Sequence, residues 1–136
     1  MKRSMKDYRG LDAPASFTRL NLQEIYKRCN GCGPKFAGAI VPDRILGMVL
    51  TPACDIHDFM YSDEYCQLEN QKKSWGGKAH ADKTFLNNLE RIIRKSKMPW
   101  YAFTQRLKNK IARKRQEICI GYYKSVKYLG AISYWG

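Results

Sequence analysis

Glycine and proline, the residues that interrupt helices and strands most strongly, are concentrated in one part of this 136-residue chain. Seven of the fifteen lie in a single short stretch, namely Gly31, Gly33, Pro34, Gly38, Pro42, Gly47 and Pro52. So dense a run argues against a regular helix or strand there and predicts a long loop over residues 29–52. Loops of this length in compact domains are often functional, so this one is a candidate binding segment.

The rest of the chain shows helical rather than strand-like patterns. Asn21 followed by Glu24 is a capping-box sequence and predicts a short helix that ends near Arg28. No segment alternates regularly enough to predict a long strand. We therefore predict a mainly α fold, and the length of the chain suits one domain over residues 1–136.

Three further helices are predicted beyond the loop. Thr51 is a candidate N-cap with Pro52 in the first turn, which predicts a helix to about Tyr65. A second helix over residues 78–96 carries one apolar stripe, at Asp82, Leu86, Leu89 and Ile93. The C-terminal part begins with another helical face, at Trp100, Phe103, Leu107 and Ile111.

The charge of the chain is large and unevenly distributed. Lys and Arg number 25 against 12 Asp and Glu, a formal net charge of +13 that indicates an anionic partner. Residues 45–71 contain no Lys or Arg but five acids, at Asp55, Asp58, Asp63, Glu64 and Glu69. Residues 91–116 contain ten basic residues and no acid. We expect the acids to hold a cation and the basic part to meet an anionic surface.

The hydropathy of the sequence bears on its location. No run of about 20 apolar residues is present, as a spanning helix would need. The basic N-terminus is not followed by an apolar segment, so no signal peptide is visible. The location stays open between secretion after removal of a signal and the cytoplasm, and the oligomeric state stays open too.

One acidic segment carries residues suited to catalysis. On a helix, Cys54, His57 and Tyr61 fall on one line, and Asp58 projects about 100° away from it. Asp82 lies in an apolar stripe, and a buried carboxylate needs a partner. Antiparallel pairing of the two helices would place it opposite His57. Such a pair fixes the imidazole tautomer, is expected to raise the His57 pKa, and leaves the second nitrogen to act as a base.

Asp58 is a candidate metal ligand. It would project toward the glycine-rich loop, whose backbone carbonyls are oxygen donors. Calcium prefers several carboxylate and carbonyl oxygens. Asp58 with loop carbonyls therefore predicts a Ca²⁺ site.

The cysteines allow a different interpretation. There are five, at Cys29, Cys32, Cys54, Cys66 and Cys119, and the first four form either a disulfide framework or a metal site. The pairs Cys29-x2-Cys32 and Cys54-x2-His57 make a plausible Cys3His zinc site. With the positive charge, that site would indicate a nucleic-acid-binding module. Cys119 is expected to be a buried free thiol.

Taken together, these motifs resemble the secreted phospholipase A2 superfamily. The resemblance lies in the helical core of Cys54, His57, Asp58 and Tyr61, the upstream Cys32-Gly33 and the downstream Ala81-Asp82. It covers residues 29–90 and is closest in layout to compact bacterial, phage or viral members, with the basic helical part at residues 91–136 outside it.

The resemblance implies a role for each of these residues. His57 would be the general base for water, Asp82 would orient it, and Tyr61 would hydrogen-bond Asp82. Asp58 would hold Ca²⁺ together with loop carbonyls, those near Gly31, Gly33 and Lys35. A disulfide would join Cys32 to Cys54. Two long antiparallel helices would carry the His–Asp pair.

The implied activity is calcium-dependent hydrolysis of a glycerophospholipid ester, at the sn-2 position. A member that has lost catalysis and only binds is a further alternative. The basic part also carries aromatic residues, at Trp100, Tyr101, Phe103, Tyr128, Tyr134 and Trp135. That combination suits an anionic membrane interface, and it also suits single-stranded nucleic acid. The catalytic motif favours the membrane as the partner.

Overall fold

A computed structural model of the protein, which describes residues 3–29 and 44–136, is mainly helical, as predicted. After a 3₁₀ turn at Met5–Tyr8, the described helices are α1 (Ala15–Thr18), α2 (Leu22–Arg28), α3 (Thr51–Met60), α4 (Asp63–Leu68), α5 (Trp75–Lys95), α6 (Gln105–Leu129) and α7 (Ala131–Trp135). A small antiparallel hairpin of β1 (Arg44–Ile45) and β2 (Met48–Val49) precedes α3. None of the described helices is long and apolar enough to cross a membrane.

The capping box of α2 is confirmed. The Asn21 side chain accepts a hydrogen bond from the Glu24 backbone N–H at 2.9 Å, and the Glu24 carboxylate accepts one from the Asn21 N–H at 3.1 Å. These bonds satisfy backbone donors that the first turn of a helix leaves without partners. The helix ends at Arg28, where the sequence predicts its end.

The boundaries of α3 differ from those predicted. Leu50, not Thr51, is the N-cap, although Pro52 does lie in the first turn. The helix is ten residues long and does not reach residue 65, so only α5 is a long helix of the predicted pair. The chain turns because the Ser62 hydroxyl accepts a hydrogen bond from the Tyr65 N–H at 3.2 Å and so caps α4.

α3 is the central helix of the fold, because nine of its ten residues are buried. It contributes to two hydrophobic clusters. One cluster joins its C-terminal half to the N-terminal segment and includes Phe17, Ile25, Ile56, Phe59 and Tyr134. The other joins its N-terminal half to α5, α6 and the hairpin and includes Met48, Leu50, Phe85, Leu89, Ile92 and Cys119.

The buried faces of α5 and α6 are rotated from the predicted stripes. On α5, Leu86 and Ile93 are only half-buried, whereas Phe85 and Ile92 are fully enclosed. The prediction for α6 is wrong in its first turn, because Trp100 and Phe103 precede the helix and are 84% and 78% exposed. The helix begins only after Thr104, whose hydroxyl caps it; its buried residues are Ile111, Arg115, Cys119 and Val126.

The hairpin turn depends on positive backbone φ angles. Leu46 has φ 50° and Gly47 has φ 80°, the combination found in tight two-residue hairpin turns. Arg115 closes this region, since its guanidinium donates two hydrogen bonds to the Leu46 carbonyl, at 2.8 and 2.9 Å. A Cβ on Gly47 would lie 2.9 Å from Arg115 Nη2 and 3.2 Å from the Lys97 carbonyl oxygen. The turn therefore needs glycine both for its backbone and for the approach of Arg115.

Comparing Gly47→Ala with Gly10→Ala tests this packing. Gly10 has a similar φ of 81°, but a Cβ added to it would meet no atom within 4 Å. Both variants carry the backbone cost of alanine in the left-handed region. We expect Gly47→Ala to lower the free energy of unfolding by about 1 kcal/mol more than Gly10→Ala in urea titrations, because only Gly47 also disturbs a packed neighbour. Equal losses would contradict the contact.

Candidate active site

The side chain of Asp82 is buried between α3 and α5. It is 3% exposed and lies in the interior of α5, so it does not cap a helix. His57 Nε2 is 2.8 Å from Asp82 Oδ1, and the Tyr61 hydroxyl donates a hydrogen bond to the same oxygen at 2.5 Å. The structure thus brings together the three residues that the sequence predicts as the catalytic group.

Helical spacing explains this convergence. His57 lies on the face of α3 that meets α5, and Tyr61, the C-cap of α3, follows four residues later on the same side. Tyr61 contacts Lys78 and Asp82, which lie early in α5. His57, one turn earlier along the chain, packs its ring on that of Phe85, one turn later in α5, with 4.9 Å between the ring centroids. Because successive contacts run in opposite directions along the two helices, α3 and α5 are antiparallel.

A fourth residue, Lys78, completes the group. Its ammonium donates a hydrogen bond to Asp82 Oδ2 at 2.7 Å, and the side chain is only 5% exposed. It also donates to the carbonyls of Val126 and Lys127 at 2.9 and 3.3 Å, near the C-terminal end of α6. Sequence reasoning missed it, although its position four residues before Asp82 places both on one face of α5.

The hydrogen bonds to Asp82 determine its charge. Burial alone would raise the pKa of this carboxyl, but hydrogen bonds from His57, Lys78 and Tyr61 outweigh burial and lower it below its ordinary value. Asp82 is therefore ionised at neutral pH and accepts hydrogen bonds from all its neighbours. In turn, burial and the bond to Asp82 raise the pKa of Tyr61, so that phenol stays protonated as a donor.

The predicted direction of the His57 pKa is wrong. Burial is the largest effect and lowers the pKa of His57, the hydrogen bond to Asp82 opposes it, and the Lys78 charge adds to the lowering. The attraction of Asp82 alone would raise the pKa of His57, but the imidazole is also desolvated and a cation lies on the far side of the carboxylate.

Tyr134 joins the C-terminus of the chain to this group. Its ring packs edge-on against the Tyr61 ring at 5.0 Å and is 2% exposed. Its hydroxyl accepts a hydrogen bond from the Ser74 N–H at 3.2 Å, next to the start of α5. Its assignment to an exposed aromatic surface is therefore wrong. It is a core residue that supports Tyr61.

The acidic segment serves mainly structural purposes. The Asp55 carboxylate is fully buried and accepts hydrogen bonds from Arg3 at 2.8 and 3.0 Å and from the Tyr8 hydroxyl at 2.6 Å. These bonds attach the N-terminal segment to α3. The three acids beyond α3 also contact protein groups, namely Asp63 with Lys73, Glu64 with Arg28 and Glu69 with Ser16. These four acids each have a protein partner, so the expectation that the acids as a set hold a cation gains no support from them.

Asp58 is placed differently from the other acids. It is the half-buried residue of α3, and its charge acts on the Cys29 thiol, where the predicted loop begins. The other proposed calcium ligands, Gly31, Gly33 and Lys35, lie outside the described residues. In the described part of the chain, no group of three or more His, Cys, Asp and Glu side chains is arranged to hold a metal ion.

The cysteines divide into two states in the described part of the chain. Cys54 takes part in a disulfide, whereas Cys29, Cys66 and Cys119 are buried free thiols. Cys119 matches its prediction. Cys32, the predicted partner of Cys54, lies outside the described residues, so that pairing stays a prediction.

A substitution at Lys78 tests the charge balance of the group. Lys78→Met leaves the buried Asp82 carboxylate without its cation, and breaking a buried pair costs about 3 kcal/mol of unfolding free energy. Lys83→Met, at an exposed lysine of the same helix, is the control and should change stability by less than about 0.5 kcal/mol. Urea unfolding at neutral pH measures both. Similar, small effects for the two variants would show that Asp82 does not depend on Lys78.

Comparison with known proteins adds no relative to this description of the site. No family, curated protein or solved structure matches this chain. The functional interpretation therefore depends on the residues and the geometry described above.

Proposed function

We propose that this protein is a phospholipase A2-like enzyme that hydrolyses a glycerophospholipid ester, at the sn-2 position, with His57 as the general base. The observation that carries the proposal is the buried cluster in which Asp82 binds both His57 Nε2 and the Tyr61 hydroxyl. A histidine held by an ionised carboxylate in this way is a recurring arrangement for activating a nucleophile. The substrate class comes from the resemblance in sequence, and the geometry of the cluster supports the role proposed for His57.

The chemistry follows from the atoms of the cluster. Because Asp82 is ionised, Nε2 of His57 would donate the hydrogen bond between them, and in that tautomer Nδ1 would act as the base. Nδ1 takes a proton from a water molecule as the water oxygen attacks the ester carbonyl carbon. The tetrahedral intermediate then expels the lysophospholipid alkoxide, which receives the proton from His57. Asp82 stabilises the imidazolium that exists between these steps.

Direct attack by water is favoured over a covalent acyl-enzyme. Cys54, one turn before His57 on α3, takes part in a disulfide and is therefore not available as a nucleophile. A thiol must be deprotonated to attack, and burial raises the pKa of the Cys29 thiol. The proposed reaction therefore releases fatty acid in one hydrolytic sequence.

Calcium is proposed as the cofactor of this reaction. The fit to the described residues rests on Asp58, a half-buried carboxylate whose charge acts on Cys29 at the start of the predicted loop. Carbonyls near Gly31, Gly33 and Lys35 would complete the site. When bound, the ion would polarise the ester carbonyl as a Lewis acid. Asp58→Asn should therefore weaken calcium binding.

The zinc alternative is less well supported by the structure. A Cys3His site needs deprotonated thiols at Cys29 and Cys54, but Cys54 takes part in a disulfide and Cys29 is a buried free thiol of raised pKa. His57 also directs Nε2 to Asp82. Stoichiometric zinc in protein purified without added metal would nevertheless overturn the phospholipase proposal. An inactive phospholipase-like binding protein is the second alternative, and the activity assay distinguishes it.

The activity assay compares the two histidines of the chain. Fatty-acid release from anionic phospholipid vesicles is measured with calcium, with EDTA, and for His57→Gln and His80→Gln. Loss of the general base is expected to slow hydrolysis by at least about 10²-fold, and EDTA should abolish it. His80 is exposed on α5, so His80→Gln should retain activity. Release that is indifferent to His57→Gln, or no release under any condition, would contradict the proposal.

The pH dependence follows from the direction of the His57 pKa. The base must be neutral, and a pKa below the ordinary value of 6.5 keeps it neutral through the neutral range. The charged groups that act on the His57 pKa are Asp82, which raises it, and Lys78, which lowers it. We therefore expect kcat at saturating calcium to change little between pH 8 and 7, and to fall only in more acidic solution than an ordinary histidine, with a pKa of about 6.5, would require. A rate that rises steadily between pH 7 and 8 would contradict this direction.

A further inference from the structure

The segment between α5 and α6 displays aromatic side chains to solvent. Trp100 is 84% exposed and Phe103 is 78% exposed, while Tyr101 is partly exposed beside them. The centroid of the Trp100 ring lies 5.9 Å from that of Tyr101 and 6.3 Å from that of Phe103. These three residues, here called the aromatic tip, form one cluster outside the hydrophobic core. Exposed aromatic clusters of this kind mark sites of interaction.

The backbone that carries the aromatic tip is held in place. Arg115 is 2% exposed and donates hydrogen bonds to the carbonyls of Ser96 and Lys97 at 3.1 and 2.6 Å. Beyond them, the buried Ala102 donates its N–H to the Pro99 carbonyl at 3.0 Å, and Thr104 caps α6. The rings are therefore exposed although the backbone that carries them is held by hydrogen bonds to the rest of the protein.

The chain around the aromatic tip is strongly basic, and the first acid beyond it, Glu117, pairs with Lys114. The aromatic tip lies within residues 91–116, which contain ten basic residues and no acid. Apart from Arg115, which is buried, and Arg91, which bridges to Asp12, the basic residues are exposed. They are Arg94, Lys95, Lys97, Arg106, Lys108, Lys110, Arg113 and Lys114. Such a surface attracts an extended anionic partner and repels a cationic one.

We propose that the aromatic tip and the basic residues around it form a docking surface for an anionic phospholipid bilayer. Tryptophan favours the boundary between headgroups and acyl chains, and Phe103 would bury its ring just below that level. The lysines and arginines would contact acidic headgroups. The biological purpose of this docking rests on the proposed lipid hydrolysis, but the binding itself does not.

The geometry of the rings favours lipid over single-stranded nucleic acid. The Trp100 plane makes angles of 85° with Tyr101 and 75° with Phe103. Successive bases of single-stranded nucleic acid stack on the faces of aromatic rings, and each edge-to-face contact here covers part of one such face. Edge-to-face rings instead present a compact apolar wedge, which suits insertion among acyl chains.

The aromatic tip is an anchor and not part of the catalytic site. The aromatic tip lies in the segment after Lys95, the last residue of α5. Lys95 is thirteen residues beyond Asp82 on that helix, so these two residues are separated by about 20 Å along the helix axis. Changes at the aromatic tip should therefore alter attachment to vesicles without altering the chemistry at His57. This separation allows the proposal to be tested independently of the proposed reaction.

The binding experiment uses full-length protein carrying His57→Gln, so that vesicles are not consumed. Sedimentation of the protein with phosphatidylglycerol vesicles is compared with its sedimentation with pure phosphatidylcholine vesicles. Three proteins are measured. The first carries His57→Gln alone, the second also carries Trp100→Ser and Phe103→Ser, and the third carries His57→Gln with Ile132→Ser. Ile132 is 86% exposed on α7, just beyond the opposite end of α6, and serves as the control. We expect binding to the anionic vesicles only, a loss of about tenfold or more on changing the aromatic tip, and no loss for Ile132→Ser.

Several results would overturn the docking proposal. These are absence of binding to phosphatidylglycerol vesicles, equal binding after the aromatic tip is changed, or an equal loss for Ile132→Ser. The proposal would also be overturned if changing the aromatic tip weakened binding of a labelled single-stranded oligonucleotide but left vesicle binding unchanged.

An activity measurement separates failure of this proposal from failure of the proposed function. With His57 intact, the aromatic-tip variant should hydrolyse a dispersed short-chain phospholipid at the wild-type rate but act poorly on vesicles. A parallel loss on both substrates would contradict an anchoring role. If neither protein hydrolyses any phospholipid, the proposed function fails, and the sedimentation result alone decides the docking proposal.

Discussion

A buried carboxylate must be compensated by hydrogen bonds and opposite charge, and Asp82 imposes this requirement on the centre of the fold. Its compensation comes from three side chains, those of His57, Tyr61 and Lys78. Together they tie three helices to one another. His57 and Tyr61 hold α3 against α5, and Lys78 reaches the carbonyls at the end of α6. Because these contacts come from separate elements, the carboxylate fixes how the helices meet.

The same principle operates at two other buried charges. Asp55 is compensated by Arg3 and Tyr8, which attach the N-terminal segment to α3. Arg115 is compensated by backbone carbonyls, and it joins the hairpin to the turn that follows α5. Part of the excess positive charge therefore has a structural purpose, while the exposed basic residues remain for an anionic partner.

The sequence predicted those features that depend on local spacing or on a short motif. The capping box at Asn21 and the mainly helical fold are of this kind, as is the approach of His57 to Asp82. A line of polar residues on one helix and a carboxylate in the apolar stripe of another were enough to pair those two side chains. The position of Tyr61 followed from its place four residues after His57.

The features that escaped prediction depend on partners far along the chain. Lys78 looks like a surface lysine until α6 supplies carbonyls from residues 126 and 127. Arg115 likewise belongs to a run of basic residues that sequence alone assigns to solvent. Trp100 and Phe103 were placed on a helical face, but the Thr104 cap starts α6 after them. Periodicity cannot locate such a boundary when apolar residues continue across it.

The central claim is that ionised Asp82 holds His57 as a neutral base with its proton on Nε2. The ¹⁵N chemical shifts of the His57 imidazole at pH 7 measure this directly, and a His80→Gln variant leaves a single histidine to assign. The account predicts a protonated Nε2, hydrogen-bonded to Asp82, and an unprotonated Nδ1. A proton on Nδ1 with an unprotonated Nε2, or protons on both nitrogens, would contradict it.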